Sequence, residues 1–421
     1  MKNLFKNLKL KRRVIAFLAG MHFFGNPSAQ MQVVGVTGTN GKTTTATLLY
    51  KIATALGYKA GLVGTVENMI AGEKVEATHT TPDPISLHKL LNKMVERGCK
   101  YVFMEVSSHA LDQNRVAGIN FAGGVFTNLT HDHLDYHKNF ENYFHAKKKF
   151  FNMLSRKAFA LSNADDEYGG KMLEGIKARG FLYCFDGCEK CQVESLNSCF
   201  HGKISELDFS GLSFEVNGVK VGSKLLGKFN AYNLLAVFSA CSLLDFDMNG
   251  VSKILENIGP PRGRLEHFSS ENGVLVVVDY AHTPDALKKV LLVAQEIKSK
   301  GGRLITLFGC GGDRDPLKRP KMGRIGVAMS DIPIFTSDNP RSEDPNKIIS
   351  EMAGELYPED LKKVRLIPDR REAIQEAVKL AQSGDIILVA GKGHEDYQEI
   401  KGVKNHFDDM EEFKKAYNKN I

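Results

Sequence analysis

The stretch that most constrains this chain is Val33-Val34-Gly35-Val36-Thr37-Gly38-Thr39-Asn40-Gly41-Lys42-Thr43-Thr44. Four of its first five residues are apolar and none of the five is charged, the pattern of a buried strand. Two glycines, a lysine and threonines come next, then the helix-like run Thr45 to Ile52. A strand, a glycine turn and a helix N-terminus gather backbone N–H groups around one anion, with the helix dipole behind them. In that arrangement Lys42 reaches the outer phosphates of a nucleotide and Thr43 holds Mg²⁺. The match to the phosphate-loop pattern is incomplete, because the pattern places a glycine where Val36 stands. A plain glycine-rich turn is the competing reading, and Gly41-Lys42-Thr43 between a strand and a helix favours the nucleotide.

At 421 residues the chain is long enough for two or three domains. A net charge of +7 is modest for this length and suits an enzyme handling phosphates and carboxylates. A nucleic-acid binder would show a denser basic stripe. Seven cysteines form no evident disulfide framework, which together with a nucleotide loop points to a reducing cytoplasm.

Residues 1–13 carry six lysines and arginines, and the apolar run Val14 to Phe24 follows. That run is shorter than the about 20 apolar residues that span a bilayer. A signal peptide has a similar outline, but export would separate the enzyme from ATP. Two readings stand: a helix lying on an anionic membrane surface, or one packed on the protein with a solvated basic end.

Down the chain, Ala60 to Val66 reads as a strand, His79 to Pro84 as a loop and Ile85 to Arg97 as a helix. Tyr101 to Val106 is a strand that ends on Glu105, with Ser107, Ser108 and His109 next. A carboxylate at the carboxyl end of a parallel strand beside a phosphate loop is where a Mg²⁺ ligand belongs. A further strand, Gly123 to Leu129, runs into Thr130-His131-Asp132-His133-Leu134-Asp135-Tyr136-His137. Such density of histidine and aspartate calls for a metal or an anion; structural zinc competes, but no cysteine lies nearby. Tyr143 to Phe151 has a charged helical face on which any single lysine would ordinarily be solvated. Ala158 to Leu161 reads as a strand and Tyr168 to Arg179 as a helix. Residues 183–226 turn to short alternating runs, a small β-rich portion. Cys184, Cys188, Cys191 and Cys199 lie here with His201, and Cys188 and Cys191 have zinc-ligand spacing. No second matched pair follows, so free cysteines in an insertion are expected rather than zinc.

Gly227 to Asn233 opens a helix reaching Leu244, with Asn230 and Asn233 one turn apart so that both amides can face one ligand. Gly259-Pro260-Pro261 marks a boundary. Beyond it four strands each deliver polar residues at the carboxyl end, where open α/β sheets bind ligands: Val274–Val278 before Asp279, Arg303–Phe308 before Gly309 to Arg314, Ile332–Thr336 before Ser337 to Arg341, and Ile386–Ala390 before Gly391 to Glu395. The fold class is α/β, with a central phosphate-loop ATPase-like domain (parallel sheet plus the β-rich portion) and a Rossmann-like C-terminal domain. The expected divisions are 1–30, 31–258 and 259–421.

Six segments taken in order resemble the Mur ligase family, in the form of its diaminopimelate-adding members: Thr37 to Thr43, Met104 to His109, Asp132 to Asp135, Asp279 to Pro284, Asp338 to Arg341 and Gly391 to Glu395. The resemblance implies ATP-dependent amide formation in peptidoglycan stem-peptide synthesis. A glutamate γ-carboxylate attacks the γ-phosphate to give an acyl phosphate, and an amine displaces phosphate. It implies two Mg²⁺ ions, with Thr43 and Glu105 on one, and His133 with a carbamylated Lys147 on the other. Lys42, Glu105, His133 and Lys147 are then the catalytic set. ATP falls to Gly38, Thr39, Asn40, Gly41, Lys42, Thr43, Thr44 and Asn128, with Asn230 and Asn233 at the adenine and Arg264, Asp279 and His282 from the C-terminal domain. The acceptor peptide falls to Thr80, Thr81, Ser107, Gln113 and Arg115. Diaminopimelate falls to Arg314, Asp338, Asn339, Arg341, Gly391 and Glu395, with Arg341 offering a planar fork to the distal carboxylate that lysine lacks.

The resemblance starts near residue 31, so about 30 residues stand where the family carries a complete domain that grips the UDP end of the substrate. From this the expectation is weak or partner-lent UDP binding, or a lipid-linked acceptor that suits a basic, apolar N-terminal helix. Two alternatives remain: a folylpolyglutamate-synthase-like ligase, which Asp338-Asn339-Pro340-Arg341 disfavours, and a ligase-derived scaffold without turnover, which the presence of Lys42, Glu105, His133 and Lys147 disfavours.

Overall fold

The computed structural model describes residues 24–77, 79–130, 132–185, 198–208 and 210–419. The basic and apolar start of the chain, His131, Cys188 and Cys191 therefore lie outside the described residues. Two compact units are formed. One runs up to Glu206 and includes Leu212–Lys224 and Phe229–Ile258; the other holds Leu207–Gly211, Leu225–Lys228 and the chain from Gly259.

The first unit runs β1 (Gln32–Thr37), α1 (Lys42–Ala55), β2 (Ala60–Val63), β3 (Asn68–Ile70), β4 (Glu73–Val75), α2 (Pro84–Glu96), β5 (Tyr101–Glu105), α3 (Ser108–Asp112), β6 (Phe121–Phe126), α4 (Leu134–His137) and α5 (Phe140–Met153). It continues with β7 (Phe159–Asn163), α6 (Gly169–Leu173), β8 (Arg179–Cys184), β9 (Ser198–Asp208), β10 (Gly211–Val216), β11 (Val219–Ser223), α7 (Lys228–Leu243) and α8 (Met248–Asn257). All eleven strands make one sheet in the order β11-β10-β9-β8-β7-β6-β1-β5-β2-β3-β4. The β-rich stretch is thus an extension of the parallel sheet, joined where β9 pairs parallel to β8.

Strand β1 lies between β5 and β6 and pairs parallel with both. Chain order reverses around it, so the loop leaving β1 opens into the crevice at the carboxyl ends of the strands. Its register sets Val36 beside Glu105 and Thr37 beside Phe126. The carboxylate and the loop therefore emerge at one level. Helix α1 owes little to intrinsic propensity, since Thr43, Thr44, Thr45 and Thr47 are β-branched; all four are buried, and packing holds the helix. Helix α2 starts where Asp83 accepts from the N–H groups of Ile85 and Ser86, with Pro84 at the first helical position.

The helix expected over Tyr168 to Arg179 is only the five-residue α6, and Arg179 already opens β8. Glu174, extended at ψ 129°, leaves helical geometry, and Gly175 at φ +66° follows it in the turn.

The second unit runs β12 (Glu266–Ser269), β13 (Leu275–Asp279), α9 (Pro284–Ile297), β14 (Leu304–Phe308), α10 (Lys318–Met329), β15 (Ile332–Phe335), α11 (Pro345–Ala353), α12 (Pro358–Leu361), β16 (Arg365–Leu366), α13 (Arg370–Leu380), β17 (Ile386–Ala390), β18 (Tyr397–Ile400), β19 (Val403–His406) and α14 (Asp409–Lys419). Its main sheet has the order β12-β13-β17-β14-β15-β16, antiparallel only at β12. Asp279, Ala390 and Phe308 are in register, so the loops after β13, β17 and β14 leave side by side. Apolar clusters cover the two faces, one with α9, α10 and α11 and one with α13 and α14. A fully buried bidentate pair, Arg370 to Asp409 at 2.7 Å on both arms, ties α13 to α14. No helix among the described residues is long and apolar enough to cross a membrane.

Candidate active site

The loop after β1 is shaped by Gly38 at φ +152° and Gly41 at φ +84°. A Cβ on Gly38 would stand 1.9 Å from Thr127 Oγ1, and one on Gly41 would stand 2.3 Å from Asn233 Oδ1. Both positions thus require glycine on conformation and on space. Val36 is fully buried inside β1, one residue before the loop opens, so the glycine missing from the textual pattern is not needed there. Lys42 Nζ donates to the carbonyls of Gly38 (2.9 Å) and Thr39 (2.7 Å), arching over the loop. Asn128 clasps the loop from β6, accepting from Asn40 N–H at 3.0 Å and donating to Asn40 O at 3.2 Å. On α7 the amide of Asn233 donates to Asn230 Oδ1 at 2.9 Å, and both side chains are buried. The pair assigned to adenine by resemblance thus lies, at Asn233, directly against the phosphate loop. Thr44, also buried, follows in the first turn of α1.

Glu105, 1% exposed at the end of β5, accepts from Thr43 Oγ1 (2.9 Å), Thr65 N–H (2.7 Å) and Thr65 Oγ1 (3.2 Å). The five residues that the resemblance assigns to the acceptor peptide form one network beside it. Thr80 Oγ1 accepts from Thr65, and Thr81 Oγ1 donates to Glu105 O and accepts from Ser107 N–H. Arg115 donates to Thr81 O at 2.9 Å and grips Gln113 Oε1 with two nitrogens. Ser107 caps α3 by accepting from Ala110 N–H.

Lys147 is 1% exposed, projecting from α5 to donate to Gly38 O at 2.7 Å, with Nζ 4.5 Å from the ring centre of Tyr143. It shares that carbonyl with Lys42. Burial first, and the nearby Lys42 charge second, hold its pKa well below the ordinary lysine value. Both effects favour the uncharged amine over the ammonium. Tyr143, one turn earlier on the same face, pairs its hydroxyl with Thr39 Oγ1 at 3.1 Å. Beside it is an imidazole cluster: the His133 ring is 5.0 Å from His109 and 6.2 Å from Tyr143, and His109 is 5.6 Å from His137. His137 bonds Ser108 Oγ at 3.0 Å, and burial plus the neighbouring His109 push its pKa down to about 4. His133 itself is half exposed and has φ +53°. Lys148 and Lys149 are not solvated, as the sequence pattern has them. Lys148 donates to three carbonyls at the end of α6, and Lys149 to Leu111 O and Asn114 Oδ1.

The donor set suits magnesium. Thr43 Oγ1 and Glu105 Oε2 are two hard oxygens already 2.9 Å apart at the mouth of the phosphate loop. For a second ion His133 would offer a ring nitrogen, while Lys147 as an amine is no magnesium ligand and would become an anionic oxygen donor only after taking up CO₂. No group of three or more His, Cys, Asp or Glu that would hold a metal occurs among the described residues.

In the second unit the predicted residues form two clusters. Around Tyr280, the Arg264 guanidinium lies 5.3 Å from the ring centre, His282 Nδ1 pairs with Tyr280 O at 2.8 Å, and Asp279 accepts from Leu265 N–H at 2.9 Å. Burial raises the Asp279 pKa against the opposing charge of Arg264, and burial lowers that of His282. The other cluster joins the loops after β15 and β17. Asn339 donates to Glu395 Oε2 at 2.7 Å, its own N–H bonds Asp338 Oδ1, and Asp338 packs against Gly391, whose Cβ would stand 2.5 Å from Asp338 Oδ2. Arg341 donates to Gly312 O at 2.8 Å and lies 3.6 Å from Glu399. Its φ of +50° is held by the bonds Arg341 N–H to Glu399 O and Lys401 N–H to Arg341 O. Arg314 is exposed on the loop after β14.

Sequence reasoning missed Thr65, Tyr143 and Lys392. Tyr143 stands four residues before Lys147, a same-face spacing that was available to find it. Lys392 sits inside a quoted motif, but its complete burial has no signal in the chain.

The Mur ligase middle domain matches residues 36–241 and the Mur ligase, glutamate ligase domain matches residues 263–393. The chain belongs to the Mur ligase family, whose members are ATP-dependent ligases using Mg²⁺. Within that family it is similar to proteins named UDP-N-acetylmuramoyl-L-alanyl-D-glutamate--2,6-diaminopimelate ligase. The one from Phocaeicola vulgatus is 51% identical over 389 residues, 92% of this chain and 78% of the relative. The one from Clostridium tetani is 40% identical over 412 residues, 97% and 82%. A solved structure of the same name superposes with a TM-score of 0.69 at 33% identity, covering 97% of this chain and 83% of the other. Folylpolyglutamate synthase of Mycobacterium tuberculosis superposes at 0.68 with 16% identity over 93% and 94%, a likeness of fold alone.

Proposed function

We propose that this chain joins meso-diaminopimelate to the D-glutamate of a muramyl dipeptide precursor, in the cytoplasm, where ATP is supplied. The observation that carries the reading is the convergence of Lys42 and Lys147 on Gly38 O beside the Thr43–Glu105 pair. This is a phosphate cradle with hard-oxygen donors and a buried lysine of lowered pKa at its edge.

In the proposed course, Lys42 and the N–H groups of residues 38–44 hold the triphosphate, with Asn128, Asn230, Asn233, Arg264, Asp279 and His282 on the rest of the nucleotide. Thr80, Thr81, Ser107, Gln113 and Arg115 align the peptide so that its γ-carboxylate faces the γ-phosphorus; positioning of this kind removes much of the barrier. The carboxylate oxygen bonds to phosphorus as the bond to ADP breaks. The amine then adds to the acyl carbon, loses a proton, and phosphate departs. Thr43 with Glu105, and His133 with a carbamylated Lys147, would hold magnesium, which would offset the negative charge where carboxylate meets triphosphate. Arg314, Asp338, Asn339, Arg341, Gly391 and Glu395 receive the amino acid, the cations taking carboxylate and the anions ammonium.

Diaminopimelate differs from lysine by one carboxylate, the group Arg341 is proposed to take. A lost bond to a charged group is worth about 1.5–3 kcal/mol, or about 10–150-fold. With the dipeptide offered free, UDP-linked and lipid-linked, kcat/KM for diaminopimelate should exceed that for lysine by this factor, and Arg341→Ala should erase the preference. Equal use of lysine by the unaltered enzyme would refute the assignment. The three acceptor arms decide between the UDP-linked substrate in the relatives' names and a membrane-borne one.

A further inference from the structure

Lys392 is the one lysine of the second unit that is wholly buried among the described residues, and the course proposed above does not use it. A buried ammonium is costly unless all three of its protons are taken. Here they are: Nζ donates to Asn339 Oδ1 at 3.3 Å, to Glu395 Oε2 at 3.3 Å and to the Tyr397 carbonyl. The lysine thereby knots three segments, the Asp338–Arg341 loop, the Gly391–Glu395 loop and the start of β18.

The knot has a definite handedness. Asn339 Oδ1, already facing Lys392, also accepts from Glu399 N–H at 2.9 Å, which forces its Nδ2 toward Glu395 Oε2 at 2.7 Å. Glu395 Oε2 thus receives Lys392 and Asn339 together. Its other oxygen, Oε1, has no hydrogen bond among the described residues, and the side chain is 18% exposed. One carboxylate oxygen is held by two donors, and the other is left open to a further donor on a side chain that solvent can reach.

We propose that Lys392 is a positioning residue for the incoming amino acid: it fixes Asn339 and Glu395 so that Glu395 Oε1 accepts the ammonium of a zwitterionic substrate. This rests on the reading of Glu395 as an amino-acid contact. Without Lys392, Glu395 Oε2 keeps only Asn339 Nδ2 and Asn339 Oδ1 keeps only the Glu399 N–H, so each loses one of its two anchors and the carboxylate is held less firmly. The effect belongs to amine binding and leaves the ATP site alone.

The test measures KM for diaminopimelate, KM for ATP and the thermal midpoint in Lys392→Met, Glu395→Gln and the double variant. Lys392→Met should raise the amine KM about tenfold or more with the ATP KM within about twofold. The double variant should be within about twofold of Glu395→Gln alone, because the two residues act as one unit. Should Lys392→Met fail to fold, Lys392→Gln, which is one atom shorter and uncharged but keeps an N–H donor, carries the same expectation at smaller size. If Glu395→Gln raises the amine KM and the Lys392 variants do not, the proposal fails and the site reading stands. If Glu395→Gln leaves the amine KM unchanged, both fail. A parallel rise in both KM values in Lys392→Met would show a merely structural lysine and would also overturn it.

Discussion

Lys147→Ala should lower turnover about a thousandfold while leaving the KM for ATP nearly unchanged, on the scale of losing a group that stabilises charge in the transition state. The side chain is buried against the Tyr143 ring and aimed at Gly38 O, which it shares with Lys42. Burial first, and repulsion from the Lys42 charge on the same carbonyl second, lower the Lys147 pKa and so favour its uncharged form. An uncharged amine captures CO₂; the protonated form cannot. The same reasoning predicts that Lys147→Arg does not rescue, because a guanidinium keeps its charge and offers no acceptor. Native mass spectrometry should find the mass of one CO₂ on the unaltered chain and none on the variant. Turnover of Lys147→Ala within about tenfold of the parent would remove Lys147 from the catalytic set.

Glu105→Gln should cost about a hundredfold to a thousandfold in kcat and raise the Mg²⁺ concentration needed for half-maximal rate. Glutamine keeps the shape but removes the negative charge facing Thr43 Oγ1, and its amide nitrogen must replace one acceptor that now serves Thr65 or Thr43. Leaving one of those donors unmet costs about 1–3 kcal/mol of stability, so the thermal midpoint should fall by a few degrees with the fold retained. Near-normal kcat at saturating Mg²⁺ would mean that Glu105 only braces the loop.

The nucleotide loop was legible because three local signals coincide there: an apolar strand, glycines and a lysine at a helix start. Glu105 was legible from its place at a strand end. What failed was non-local. Nothing between residues 198 and 223 says that these strands add to the edge of β8 rather than pack alone, since the pairing partner is distant in sequence. Tyr168 to Arg179 has helical spacing, and the turn at Glu174 and Gly175 cuts it short. Lys147, Lys148 and Lys149 are chemically identical in the text. Helix rotation alone sends the first to the phosphate loop, the second to the carbonyls closing α6 and the third to Leu111 and Asn114. The buried Lys392 was unreadable for the same reason, because its three acceptors come from two separate loops and a strand.

The central claim is that this fold activates a carboxylic acid by phosphorylating it. The most direct measurement uses a muramyl dipeptide whose glutamate γ-carboxylate carries ¹⁸O, incubated with ATP, Mg²⁺ and diaminopimelate. The account predicts that one labelled oxygen appears in the released phosphate and one stays in the new amide. Phosphate free of label, with amide still formed, would contradict it.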